Sequence, residues 1–175
     1  MSSRRQVLKQ LVAMGALAGL SALPRAQAAT PEAKASAVGR YHMPDEAGPQ
    51  ARVWVAFGAS RDIWGRDYQE VQVTIGRLVQ AMAPHTEVNV LCREEEEALA
   101  RQLCGEHNTR FINAELDDIW LRDTGGVFVR NGEGELGLVD FNFNGWGDKQ
   151  EHEQDGGVAE WVSTQADAHY LQSRL

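Results

Sequence analysis

An α/β fold is predicted for this 175-residue chain by three observations. Short apolar runs alternate with segments of helical periodicity, the connections between them are brief, and the series closes on two apolar runs flanking a glycine-rich turn. The segment 53–57 is a compact apolar strand. The segment 67–83 is the clearest helix: Val71, Ile75, Leu78, Val79 and Met82 recur on one face, and Pro84 stops it. A second short strand follows at 88–92, bounded by the charged run that begins at Arg93. Glu94 to Glu97 open a second helix, where acids suit the positive end of the macrodipole, and Ala98, Leu99 and Leu103 supply its apolar side. The acidic run therefore reads as a solvated helix start, not a metal site. A third strand is predicted at 110–113, and 126–130 with 136–143 form a hairpin around Asn131-Gly132-Glu133-Gly134. The segment 151–162 starts another helix, after which the pattern dissolves toward Leu175 without a closing element. The chain is accordingly expected to be a portion of a longer protein, with an ordinary C-terminus as the alternative.

The hydrophobic fraction of 43% is ordinary for a protein that buries a core. The N-terminus reads Ser3-Arg4-Arg5-Gln6-Val7-Leu8-Lys9, then an apolar run over 11–23, then Pro24 and Ala26-Gln27-Ala28. A charged head, an apolar middle too short for an ordinary membrane anchor and small residues two apart make residues 1–28 a signal peptide. The paired arginines, followed by a hydrophobic residue and Lys9, resemble the twin-arginine type, with an amphipathic N-terminal helix of the fold as the alternative. The expected location is periplasmic or secreted, with the twin-arginine translocase as partner during export. Residues 29–42 read as a tether, and 43–175 as the folded part. Net charge is −8, and removing the four positive charges of residues 1–28 leaves the remainder at −12. Such a body repels nucleic acid and anionic membranes and attracts small cations. Cys92 and Cys104 are too few for a disulfide scaffold and read as packing residues, with a bond between them left open. No cofactor or metal is implied by any motif.

Two segments carry chemistry. In Glu115-Leu116-Asp117-Asp118-Ile119-Trp120-Leu121-Arg122-Asp123-Thr124-Gly125-Gly126, three aspartates, a tryptophan and an arginine lie between apolar strands. Strand-end connections of that composition are where α/β folds place ligands. The plain alternative is a charged surface turn with Arg122 in a structural ion pair. In Asp140-Phe141-Asn142-Phe143-Asn144-Gly145-Trp146-Gly147 a strand ends in a tryptophan flanked by glycines, which expose the indole face unless it is a core residue. Together, carboxylates beside indoles suit a planar cation: the carboxylate bonds a guanidinium bidentately and the ring face attracts its delocalised charge. A magnesium-dependent phosphoryl enzyme using Asp117, Asp118 and Asp123 is a weaker reading, since no phosphate-binding glycine loop accompanies them. His42, His85, His107, His152 and His169 stand at no ligand or triad spacing and read as solvated.

The stretch 117–125, the strand 139–146 and the lead-in Met43-Pro44-Asp45-Glu46 to Val53-Trp54-Val55-Ala56 resemble the N-terminal half of the agmatine deiminase and Porphyromonas-type peptidyl-arginine deiminase family. The likeness covers about residues 43–155. It implies a pentein, a pseudo-fivefold αβ propeller, of which this chain would hold about two of five modules. It implies that Asp123 is the substrate-binding carboxylate and that Trp120 borders the substrate. Trp146 completes the binding set, with Asp117, Asp118 and Arg122 in support. In the family a cysteine thiolate attacks the guanidinium carbon, ammonia leaves and water releases the ureido product, with a histidine as acid/base. By this likeness those two groups lie beyond Leu175, so no catalytic residue is expected in the chain itself.

The resemblance also bears on substrate. The peptidyl-arginine branch places arginines just after the asparagine of the second motif, whereas Gly145, Trp146 and Gly147 stand here, which favours agmatine. Gly126 departs from the proline common after Asp-Thr-Gly, and Phe57-Gly58 from a common Trp-Pro pair. The alternatives are a peptidyl-arginine deiminase and a non-catalytic periplasmic guanidinium-binding module. An incomplete pentein would expose apolar module edges, which leaves an oligomer open.

Overall fold

A computed structural model describes residues 41–173. The expected signal peptide, 1–28, and the expected tether through residue 40 lie outside the described residues. The described chain has the predicted α/β class, arranged as two small sheets with helices between their strands.

The first sheet is wholly parallel, in the order β2 (Arg52–Ala56), β3 (Glu87–Cys92), β4 (Thr109–Asn113). Helix α1 (Arg61–Trp64), a 3₁₀ turn and α2 (Tyr68–Met82) connect β2 to β3, and α3 (Glu97–Cys104) connects β3 to β4. Strand β3 is buried almost throughout because both its faces are covered. Val88, Val90 and Cys92 meet Ile75 and Val79 of α2 and Ala100 and Cys104 of α3 on one side. Leu91 meets the second sheet's core on the other. Helix α2 follows the predicted stripe at Ile75 and Val79, although Leu78 is 52% exposed.

The second helix differs from expectation. Ala98 and Leu99 are exposed, and the buried stripe is Glu96, Ala100 and Cys104, spaced four residues apart. Glu96 is thus not part of a solvated helix start. Its carboxylate accepts hydrogen bonds from Arg93 Nη1 at 2.6 Å and the Tyr68 hydroxyl at 3.1 Å, so the charge is buried with its partners. Cys92 and Cys104 are free thiols in the same core, as the packing reading has it.

The second sheet has the order β1 (Tyr41–His42), β5 (Val127–Asn131), β6 (Leu136–Asp140), β7 (His169–Gln172). The predicted hairpin is present as antiparallel β5 and β6, with Val127 opposite Val139 and Arg130 opposite Leu136. Asn131 organises its turn, Oδ1 accepting from the backbone N–H groups of Glu133 and Glu135. Tyr41 and His42, within the expected tether, instead pair with Asn131 and Arg130 as an edge strand. Strand β6 stops three residues early because Asp140 Oδ1 accepts from Asn142 N at 2.7 Å, turning the chain out of the ladder. The expected helix at 151–162 also begins late. A 3₁₀ turn at Asp155–Gly157 precedes α5 (Val158–Gln165), since Gly156 and Gly157 favour the coil. Helix α5 then packs Val158, Ala159 and Val162 against Leu138, and β7 returns parallel to β6.

Candidate functional site

The site grows from loops at the C-terminal ends of the parallel strands, where backbone N–H and C=O groups have left the ladder. Arg93, just past β3, ties these loops together. Its guanidinium donates to the carbonyls of Gly58 at 2.8 Å and Leu116 at 3.0 Å while pairing with Glu96. One cation thereby aligns the loop after β2 with the loop after β4.

The loop after β4 carries the three aspartates, and the structure gives each a different task. Asp117 Oδ2 accepts from the backbone N–H groups of Gln154 and Asp155, at 2.7 and 3.0 Å, capping the turn that starts α5. Asp155 Oδ1 reciprocates by accepting from Asp117 N at 2.9 Å. Asp118 is 1% exposed and accepts from Trp64 Nε1 at 2.7 Å and Gln150 Nε2 at 3.4 Å. Asp123 alone is solvent-facing, presented by the one-turn helix α4 (Leu121–Thr124) with Trp120 immediately before it. The three carboxylates turn to separate N–H donors and do not converge on a common point, which is not the arrangement of a magnesium cage. Among the described residues no group of three or more His, Cys, Asp or Glu is placed to hold a metal ion.

The second motif meets the first through Trp146. Gly145–Asp148 forms a left-handed turn, with φ of 60° at Gly145, 55° at Trp146, 81° at Gly147 and 57° at Asp148. Asn144 supports it by accepting from Gly147 N at 3.0 Å. A Cβ at Gly145 would stand 2.5 Å from the Gln150 carbonyl oxygen, so this position admits only glycine. A non-glycine residue in this conformation costs about 1–2 kcal/mol, and such strain persists where surrounding structure or function holds it. Its result here is that Trp146 Nε1 lies 3.4 Å from Asp123 Oδ1.

Asp123 therefore sits among indoles. Trp120 meets Trp146 edge-on at 6.1 Å and 84°, Trp146 meets Phe143 edge-on at 5.0 Å, and Trp120 and Trp146 are each 40% exposed. An accessible carboxylate beside a pair of accessible indoles offers in-plane acceptors and π surface together, the complement of a flat delocalised cation. Asp123, Trp120 and Trp146 are brought together as expected from the sequence. Asp117 and Asp118 lie behind them as scaffold.

Arg122 is exposed and makes no ion pair among the described residues, contrary to the structural-pair reading. His152 departs from the solvated expectation. It is partly buried, its Nδ1 donates to the Gln150 carbonyl at 2.9 Å, and its ring meets Phe143 edge-on. The other four histidines are exposed.

The structure adds two residues to the site, Trp64 and Asp155. Trp64 stacks on Trp120 at 6.1 Å and 29°. The available signal was a tryptophan before a glycine inside the polar run Arg61-Asp62-Ile63-Trp64-Gly65-Arg66-Asp67. Asp155 is 1% exposed and its Oδ2 has no hydrogen-bond partner. Burial, opposed by the Asp117 backbone hydrogen bond, pushes its carboxyl up to about 6. Burial likewise pushes the Cys92 and Cys104 thiols up to about 11, which suppresses the thiolate a nucleophile needs. Gly126 has φ of 74°, a conformation that proline, with φ near −65°, cannot adopt.

Comparison with known proteins supports the same direction. The profile of the Porphyromonas-type peptidyl-arginine deiminase family matches residues 42–175. An agmatine deiminase of Pseudomonas putida is 36% identical over 110 residues, covering 61% of this chain and 29% of that protein. One of Stutzerimonas stutzeri is 33% identical over 122 residues, covering 69% and 32%. A solved structure of the agmatine deiminase of Enterococcus faecalis superposes with a TM-score of 0.70 at 25% identity, over 78% of this chain and 39% of that one. The chain thus spans about a third of the length of the relatives it matches.

Proposed function

We propose, since this chain belongs to the Porphyromonas-type peptidyl-arginine deiminase family, that it supplies the guanidinium-binding wall of an agmatine deiminase. The reaction is hydrolysis of agmatine to N-carbamoylputrescine and ammonia through a cysteine-amidino intermediate. The observation that carries this reading is the exposed Asp123 carboxylate 3.4 Å from Trp146 Nε1, with Trp120 alongside. Agmatine is preferred over peptidyl-arginine because Gly145, Trp146 and Gly147 follow Asn144 with no arginine to meet a carboxylate. The relatives named as agmatine deiminases favour the same choice.

The nucleophile is neither Cys92 nor Cys104, both of which are buried in packing positions. On this proposal the cysteine and histidine of the reaction come from outside the matched residues 42–175. On this reading the residues described contribute substrate binding, and turnover requires those two groups. Its two sheets would make about two of the five modules of a pentein. The paired Arg4 and Arg5 before an apolar run support export through the twin-arginine route.

Calorimetry of the purified chain with agmatine, beside an ammonia-release assay, tests the reading: heat of binding without ammonia is expected. In Asp123→Asn the charge-assisted bonds are lost, and affinity should fall by about thirtyfold or more, equivalent to about 2 kcal/mol. Unchanged affinity in that variant would remove Asp123 from the binding role.

A further inference from the structure

We infer that Trp64 and Asp118 form a positioning pair that sets the ring plane of Trp120 at the cation-binding face. The inference rests on the guanidinium reading of Asp123 and adds a layer behind it.

Trp120 precedes a one-turn helix, is 40% exposed, and its indole N–H has no partner among the described residues. Its orientation is therefore set by ring contacts, and these are Trp146 edge-on and Trp64 face-on. Trp146 is itself fixed by its left-handed turn and its contact with Asp123. Trp64 is fixed differently. It borders a cleft of about 250 Å³ shared with Val71, Thr74, Ile75 and Ile119, so packing on it is incomplete. Its indole N–H is anchored by one hydrogen bond of 2.7 Å from Nε1 to Asp118 Oδ1.

That bond is strong for a physical reason. Asp118 is 1% exposed, and a carboxylate so placed demands donors; it has Trp64 at 2.7 Å and Gln150 at 3.4 Å. The buried acid thus orients one indole, the indole stacks on a second at 29°, and the second meets edge-on the Trp146 ring whose Nε1 lies 3.4 Å from Asp123 Oδ1. Attraction of a cation to an indole depends on the cation lying over the ring face, so a reoriented Trp120 binds less well without any loss of its own atoms.

The test uses this 175-residue chain and four variants, with agmatine as the probe. Asp118→Asn keeps an oxygen acceptor for Trp64, whereas Asp118→Leu removes it; Trp64→Phe keeps a ring but removes the donor. Asp123→Asn is the control for the binding site itself. Circular dichroism reads the coupled-indole signal of the Trp64–Trp120 stack, and calorimetry reads agmatine affinity. The contribution of the Trp64–Trp120 stack should persist in Asp118→Asn and be lost in Asp118→Leu and Trp64→Phe, leaving that of the Trp120–Trp146 pair, with agmatine binding about five- to tenfold weaker in the latter two. Should Asp118→Leu not fold, Trp64→Phe alone carries the comparison. The pair is refuted if Trp64→Phe binds agmatine within twofold of the parent while Asp123→Asn has lost it. If Asp123→Asn binds like the parent, the guanidinium reading itself falls, and the positioning role falls with it.

Discussion

Replacing Asp155 by asparagine isolates a pH dependence written into the fold. The carboxyl is 1% exposed, with one oxygen bonded to Asp117 N and the other unpartnered, and its pKa stands at about 6 against an ordinary value of 3.8. A carboxyl raised in the folded state binds its proton more tightly there than in the unfolded chain. The folded state is therefore favoured below pH 3.8 and loses that advantage as pH rises toward 6. At about 1.4 kcal/mol for each pH unit between those two values, the ionised group costs on the order of 3 kcal/mol above pH 6. Asparagine preserves the acceptor for Asp117 N and cannot ionise. Urea unfolding of parent and variant at intervals between about pH 4 and pH 8 gives a difference curve in which other carboxylates cancel. The variant should gain on the parent by roughly 3 kcal/mol across the window, with most of the change between pH 4 and 6. A flat difference curve, or one in which the variant loses ground as pH rises, would refute the burial argument.

Three further outcomes follow from other residues. Arg93→Met leaves Glu96 buried without its cation and frees the Gly58 and Leu116 carbonyls, so unfolding free energy should fall by about 3–5 kcal/mol in a urea titration. Gly126→Ala must hold φ of 74° and place a Cβ 2.3 Å from Leu138 Cδ2; a loss of at least about 2 kcal/mol is expected, with a lower Tm by calorimetry. Trp146→Ala removes an exposed indole, so agmatine affinity should drop by about three- to thirtyfold while Tm stays within a few degrees of the parent.

What was legible in the sequence was what depends on local periodicity. Helix α2 is readable because Ile75 and Val79 recur on one face and Pro84 ends it, and the hairpin is readable because Asn131 and Gly134 carry their own turn chemistry. The juxtaposition of Asp123, Trp120 and Trp146 was legible for another reason. Asp123 and Trp120 are three residues apart, and Trp146 announces its exposure through flanking glycines. Contacts made over long separations were not readable. Strand β1 has two residues and exists because β5 offers an edge, and β7 depends on β6 and α5 for its register. Glu96 looks like its neighbours Glu94 and Glu95 until Arg93, Tyr68 and Gln72 surround it. Trp64 lies 54 residues from the aspartate that orients it. Helix α3 shows the limit of periodicity itself, since small Ala100 and Cys104 pack inward while Leu99 points out.

The left-handed turn at Gly145–Asp148 makes position 146 a socket. Its glycine neighbours and Asn144 dictate where the side chain leaves the backbone, so the geometry belongs to the mount and the chemistry to whatever is mounted. An asparagine or histidine set there would project toward the same carboxylate without rebuilding the loop, and glycine would relieve the mount of its strain. On the guanidinium-binding proposal, a change at this one residue would alter what the wall accepts while the surrounding frame stays as it is.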